Sequence, residues 1–309
     1  MKNFLLCSTT ACAALTAAFN AHAWPGQSAD AFIAKGRPTT VLDIDNDTLL
    51  LTGSDRFYTS GVRLSRSYRL RGDDGWESLG WRIGQQLYTP STIRLRPEQI
   101  FVLDHPYAGW LYAGMFHRIE HIDGSEVALG LDLGCLGPCA QGEWTQESLH
   151  RALRQPSPEA WSTQIGQEAG VVLHAGGRGA YWALGRNADL RPGIAARLGN
   201  IFTDLSAEAS LRAGELRPDA NGDLQYSFLR VAVRAVGHDG TLQGGWLTGT
   251  DARTVRPRRV TAEMELGWQW QGPQWSLRVS VVRRGNEISG LSESDGRQDF
   301  LRLSIAFSR

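Results

Sequence analysis

"MELGWQWQGPQWSLRVSV", residues 264–281, decides the fold class. Met264, Leu266, Trp268 and Trp270 alternate with Glu265, Gly267, Gln269 and Gln271. After the turn signal at Gly272-Pro273 the alternation resumes with Trp275, Leu277, Val279 and Val281. A period of two means a strand with one apolar face and one polar or small face, and two such runs around a Gly-Pro break read as a hairpin. The same reading holds for Val62 and Leu64, for Val127 to Leu133, for Leu229 to Ala235 and for Leu301 to Phe307. About ten to twelve segments of this kind, each near the length of a tilted membrane strand, predict an antiparallel transmembrane β-barrel of about twelve strands. Glycine, serine and arginine on the second face suit a water-filled or polar lumen better than the outer face of a secreted β-sandwich, the competing architecture. Turn signals at 71–76, 121–126, 219–224 and 237–240 punctuate the strands. Tryptophans near strand ends fit an interfacial girdle.

The rest of the composition agrees. Charge is balanced, 32 basic against 32 acidic residues, so nothing points to a nucleic-acid partner. Mean hydropathy is −0.28, and after the N-terminus no apolar run is long enough to cross a bilayer as a helix. Residues 1–23 carry Lys2, an apolar stretch and the small-residue ending Ala21-His22-Ala23, the pattern of a signal peptide with Trp24 as the first mature residue. The barrel domain is then 24–309. Cys7 and Cys12 fall within the leader, and Cys135 and Cys139 in "CLGPC" can pair in an oxidising compartment, with a metal site as the lesser alternative.

One region breaks the alternation. Residues 139–165 are polar, and a short external helix near 143–156 is expected, capped by Thr145 and stopped by Pro156 and Pro158. Leu149, Ala152 and Leu153 fall on one face, and His150 lies beside Arg151. The other dense polar cluster is "DIDNDTLLLTGSDRFYTSGVRLS", residues 43–65. A tight hairpin tipped by Gly53-Ser54 sets Thr59 opposite Thr48, and a three-residue tip sets it opposite Asp47. Either register gathers Asn46, Asp47 and Thr59 at the outward end of the first strands.

"DNDTLL", "GSDRFYTSGVRLS", "LYTPSTIRLRPEQ", "DHPYAGWLYAGM" and "QESLHRA", followed by "PEAWSTQI", appear in this order. Together they resemble the outer-membrane lipid A deacylase family of the LpxR type over essentially the whole mature chain. The resemblance implies a twelve-stranded barrel in the outer membrane that hydrolyses the 3′-acyloxyacyl ester of lipid A with calcium. It implies a monomer whose partner is lipopolysaccharide. It assigns site roles to Asn46, Asp47, Thr59 and His150; since calcium takes oxygen ligands, Asp47 with Asn46 or backbone oxygens is the expected metal seat. Arg94 stands where the family has a lysine, a departure that matters because a guanidinium is a planar fork and an ammonium a point charge. Asp104 belongs to the pattern, while His105 replaces an expected arginine.

The residue types are coherent with ester hydrolysis. His150 can act as general base near neutral pH, and calcium, which takes oxygen ligands, can stabilise the oxyanion. Thr59 and Arg94 can hold the oxyanion or a sugar phosphate. "HRIEH" at 117–121 lacks the order of a zinc protease motif and reads as rim residues, and His174 and His238 as girdle or turn residues. Ser60 and Ser148 flank the site, but no Gly-x-Ser-x-Gly elbow is present. The alternatives are an inactive or structural barrel, including a channel, on the same scaffold, or an outer-membrane phospholipase.

Overall fold

The computed structural model describes residues 28–50, 56–247 and 253–309. The predicted signal peptide and the turn at residues 52–55 lie outside the described residues. The strands are β1 (Arg37–Asn46), β2 (Phe57–Gly72), β3 (Gly75–Thr89), β4 (Ala108–His121), β5 (Glu126–Leu136) and β6 (Glu168–Arg178). They continue as β7 (Trp182–Ala183), β8 (Ala188–Gly199), β9 (Phe202–Glu215), β10 (Leu224–Asp239), β11 (Val260–Gln271), β12 (Trp275–Arg284) and β13 (Gln298–Ser308). Every pairing is antiparallel, β1 pairs with β13, and β6 pairs with β8, so twelve strands close into a barrel and β7 only extends the β6–β8 connection. Closure removes the sheet edges that a bilayer does not tolerate. The expected fold class stands.

Alternation assigns the two faces. Trp110 on β4 meets Phe202 on the distant strand β9, with ring centroids 6.3 Å apart, so the even-numbered side of β4 points into the barrel. Propagating the registers puts Val62, Leu64, Ile83, Val231, Leu266 and Val281 outside, where all are exposed apolar side chains facing lipid. Apolar side chains cross the lumen. Tyr58, Tyr88, Trp110, Val172, Phe202 and Phe300 belong to one buried cluster that bridges it from β2–β4 to β6, β9 and β13. Beside this layer lie ion pairs such as Arg302–Asp45 at 2.9 Å, Arg230–Glu208 at 2.7 Å and Arg284–Glu263 at 3.0 Å, around a polar cavity of about 400 Å³. Each guanidinium is matched because an unpaired charge there would cost several kcal/mol.

Short turns at 73–74, 122–125 and 272–274 share one end with Arg37 and Ser308; the long connections 90–107, 137–167, 240–259 and 285–297 occupy the other. In membrane barrels that asymmetry marks the periplasmic and outer ends, so β1 runs outward. Trp268 and Trp275 face lipid at the short-turn end, with Trp275 packed on Phe307 at 4.7 Å. The girdle reading fails for Trp110, which fills the lumen, and for Trp161, which is buried among Leu87, Tyr107 and Ala160. It fails for His174 as well, which faces inward from β6 with Nε2 2.7 Å from Asp132. Helix α1 (Ala29–Lys35) packs outside the periplasmic margin of β2–β4, where Phe32 lies edge-on to His117, 6.2 Å between centroids.

Candidate functional site

The polar cluster at the outer end of β1 and β2 is built by a register and a bulge. Asn46 faces Ser60 across the ladder, and the Asp47 backbone N–H donates to the Thr59 carbonyl at 3.3 Å. Thr59 is therefore opposite Asp47, the register of the longer tip rather than of the tight hairpin. The β2–β3 ladder slips between Tyr58 and Ser60. Such a bulge puts two successive side chains on one face. Ser60 and Thr59 both face outward, while Tyr58 turns into the lumen. Phe57 enters the bulge at φ 60°, a region that a bulky L residue occupies only under constraint. Thr59 is buried, and its hydroxyl lies 2.7 Å from that of Thr89 on β3. Asn46 donates through Nδ2 to the Thr59 carbonyl at 3.4 Å and accepts from the Leu49 N–H at 3.1 Å. Asp47, only 2% exposed, accepts from the Arg56 N–H at 2.8 Å and the Thr48 hydroxyl at 3.3 Å. These bonds tie the loop onto the site residues.

Helix α2 (Gly142–Leu153) supplies the second half. It starts after Gln141 and ends at Arg154, both left-handed at φ 56°. The expected boundaries shift accordingly, and Thr145 is not the cap. Its hydroxyl instead donates back to the Gln141 carbonyl at 3.0 Å, inside the first turn. The helix stops before Pro156 because Arg154 has already left the helical region. Its buried stripe is Gly142, Gln146 and His150, residues four apart, whereas Leu149 and Leu153 are exposed.

This stripe faces the outside of the barrel wall. Gln85, on the same face of β3 as lipid-exposed Ile83, donates through Nε2 to the Ala140 carbonyl at 2.7 Å and to the Thr145 hydroxyl at 3.0 Å. A Cβ on Gly142 would sit 2.6 Å from Trp161 and 3.1 Å from Leu87, so only glycine allows so close an approach. Trp161 donates through Nε1 to Gln146 at 2.8 Å. His150 is 5% exposed, and its Nδ1 lies 2.6 Å from the Pro156 carbonyl. A carbonyl only accepts, so Nδ1 carries the hydrogen, which makes Nε2 the nitrogen that would bear the lone pair in the uncharged ring.

Asn46, Asp47 and Thr59 are joined by these bonds at the outer ends of β1 and β2, and His150 lies on the helix docked against β3 and β4. Arg94 does not join them by any contact. It is exposed in the loop 90–107, and among the described residues its guanidinium has no hydrogen-bond or ion-pair partner. Asp104 braces that loop, accepting from the Ser91 N–H and hydroxyl, each at 2.7 Å. His105 stacks on Tyr88 at 5.2 Å, and burial pushes its ring below the ordinary imidazole value. The sequence reading missed Thr89, Gln85 and Gln146. Thr89 stands in "YTPS", one of the blocks that carry the resemblance, but Gln85 has no local signal because its partners come from 55 and 60 residues away.

Oxygen donors for a hard cation are at hand in the Asp47 carboxylate, the Asn46 amide and nearby carbonyls. Among the described residues no three His, Cys, Asp or Glu side chains converge. Cys135 and Cys139 are joined as a disulfide instead, with Cα atoms 5.9 Å apart. His117 is paired with Glu77 at 3.5 Å under α1, and His238 ends β10, 5.1 Å from Trp246.

A family model described as outer membrane protein LpxR matches residues 5–307. LpxR from Salmonella typhimurium is similar in fold, with a TM-score of 0.73 at 22% identity over 87% of this chain and 99% of that one. The β domain of the Bordetella autotransporter BrkA reaches 0.49 at 11% identity, over 88% and 98%. The translocator domain of the autotransporter NalP from Neisseria meningitidis reaches 0.44 at 13%, over 97% of each chain. No curated protein matches the sequence.

Proposed function

The chain belongs to the LpxR family of outer-membrane proteins, and from that membership we propose that it is an esterase removing the 3′-linked acyloxyacyl chain of lipid A. The observation that carries the reading is His150. It is buried on the inner stripe of α2, with Nδ1 held by the Pro156 carbonyl, which leaves Nε2 as the nitrogen to act as base. A base there meets a substrate whose acyl chains never leave hydrocarbon.

In this mechanism His150 Nε2 takes a proton from water as the water oxygen bonds to the ester carbon. The tetrahedral intermediate then expels the sugar oxygen, which receives that proton, leaving a free carboxylic acid and a sugar hydroxyl. Thr59, held by Thr89, donates to the oxyanion. The exposed Arg94 guanidinium offers a fork for a sugar phosphate. Asp47 and Asn46 offer the hard oxygen donors calcium takes; when bound, the ion adds positive charge that polarises the ester carbonyl.

The test is mass spectrometry of lipid A incubated with the folded protein and calcium. Loss of one acyloxyacyl mass, abolished by chelator and by His150→Gln in an intact barrel, is the expected result. Unchanged lipid A with a verified folded barrel overturns the reading, and release of fatty acid from phospholipid instead would make the protein a phospholipase.

A further inference from the structure

We infer that α2 is seated in the outer leaflet, with Trp144 as the side chain that docks it at the boundary between lipid headgroups and acyl chains. Three observations carry this. The first is the side of the wall on which the helix lies. Gln85, Leu87 and Gly109, which meet the segment 140–145 and Trp161, alternate with lumen-facing Tyr88 and Trp110, so α2 stands where lipid would otherwise cover the barrel. Its far face can meet only what surrounds the barrel.

The second is height. Along β3 the outward positions run Glu77, Leu79, Trp81, Ile83 and Gln85, followed by Leu87, which is covered by Trp161 rather than by lipid. Two polar residues bracket three apolar ones, of which Trp81 and Ile83 are exposed. At about 3.3 Å per residue and a tilt of about 40°, Glu77 and Gln85 are separated by about 20 Å along the membrane normal, close to the height of an apolar barrel band. Gln85 therefore marks the outer border, about 5 Å above Ile83. Its bonds to Ala140 and Thr145 fix the first turn of α2 at that level.

The third is direction. Trp144 lies about 160° around the helix from wall-facing Gln146, and it is 68% exposed. An indole at this depth, aimed away from the protein, has the placement tryptophan favours in a membrane, with its ring in the acyl border and its N–H in the headgroups. The occupant is outer-leaflet lipid, and the inference holds whatever reaction the site performs.

Fluorine NMR of the full chain labelled with 5-fluorotryptophan, in phosphatidylethanolamine–phosphatidylglycerol bilayers, tests it. Trp144→Phe and Trp268→Phe serve only to assign two resonances. The expected result is that the Trp144 signal is broadened by phospholipid with a nitroxide near the headgroup, as strongly as the lipid-facing Trp268 signal, and spared by a water-soluble gadolinium chelate. A Trp144 signal broadened by the chelate and untouched by the lipid nitroxide overturns the inference. If Trp144→Phe weakens folding, the same resonance is assigned by Trp144→Tyr.

Discussion

Gln85 ties α2 to the barrel wall, and replacing it by leucine measures how firmly. Gln85→Leu keeps the side-chain size and leaves an apolar group on the outer wall beneath α2, so the barrel itself should be indifferent. It removes the bonds of 2.7 Å and 3.0 Å to the Ala140 carbonyl and the Thr145 hydroxyl. At about 1 kcal/mol net for each bond, docking of α2 loses about 2 kcal/mol, which is about a 30-fold rise in the undocked fraction. Tryptic cleavage after Arg151 and Arg154 reads that fraction, because the protease needs the helix released and its rate tracks the open population when closing outpaces cutting. Heat-dependent gel migration verifies the intact barrel. The expected outcome is cleavage about 30-fold faster than wild type, with hydrolysis lowered in parallel. A rate within twofold of wild type, on a barrel shown to be intact, would refute the view that β3 fixes the helix through this side chain.

Thr89→Val removes the hydroxyl 2.7 Å from that of Thr59 while keeping shape; a loss of 1–2 kcal/mol in a buried bond predicts turnover lowered about 5- to 30-fold at unchanged KM, with Thr89→Ser restoring it. Equal losses in both variants would leave Thr89 a packing residue. His105 makes the outer loops sensitive to acid. Burial holds its ring below 6.5 in the folded state, so the unfolded loop binds the proton more readily. Stability is then full above the ordinary imidazole value and falls as pH drops below it. Hydrogen exchange of residues 90–107, corrected for its intrinsic pH dependence, should show that slope, and His105→Phe should flatten it. The channel alternative is addressed by planar-bilayer recording: the bridged lumen predicts no steady conductance, and an ohmic current from the folded protein would contradict it.

The strand period was legible in the chain because it is a local property. Alternation from Met264 to Val281 needs only neighbouring side chains, and it gave the barrel, its polar interior and the approximate strand number. The polarity of Asn46, Asp47 and Thr59 beside a turn was equally plain, and so was a helix around His150. What local pattern could not reveal is the side of the wall on which these groups lie. That depends on one slipped ladder step between Tyr58 and Ser60, which turns Thr59 outward, and on contacts of Gln85 with residues 55 and 60 positions away. Nor could it show that α2 buries Gln146 and His150 while exposing Leu149 and Leu153, an inversion of ordinary amphipathicity. Composition says a side chain is apolar, but only the tertiary structure decides whether lipid, lumen or another element of the protein is there to receive it.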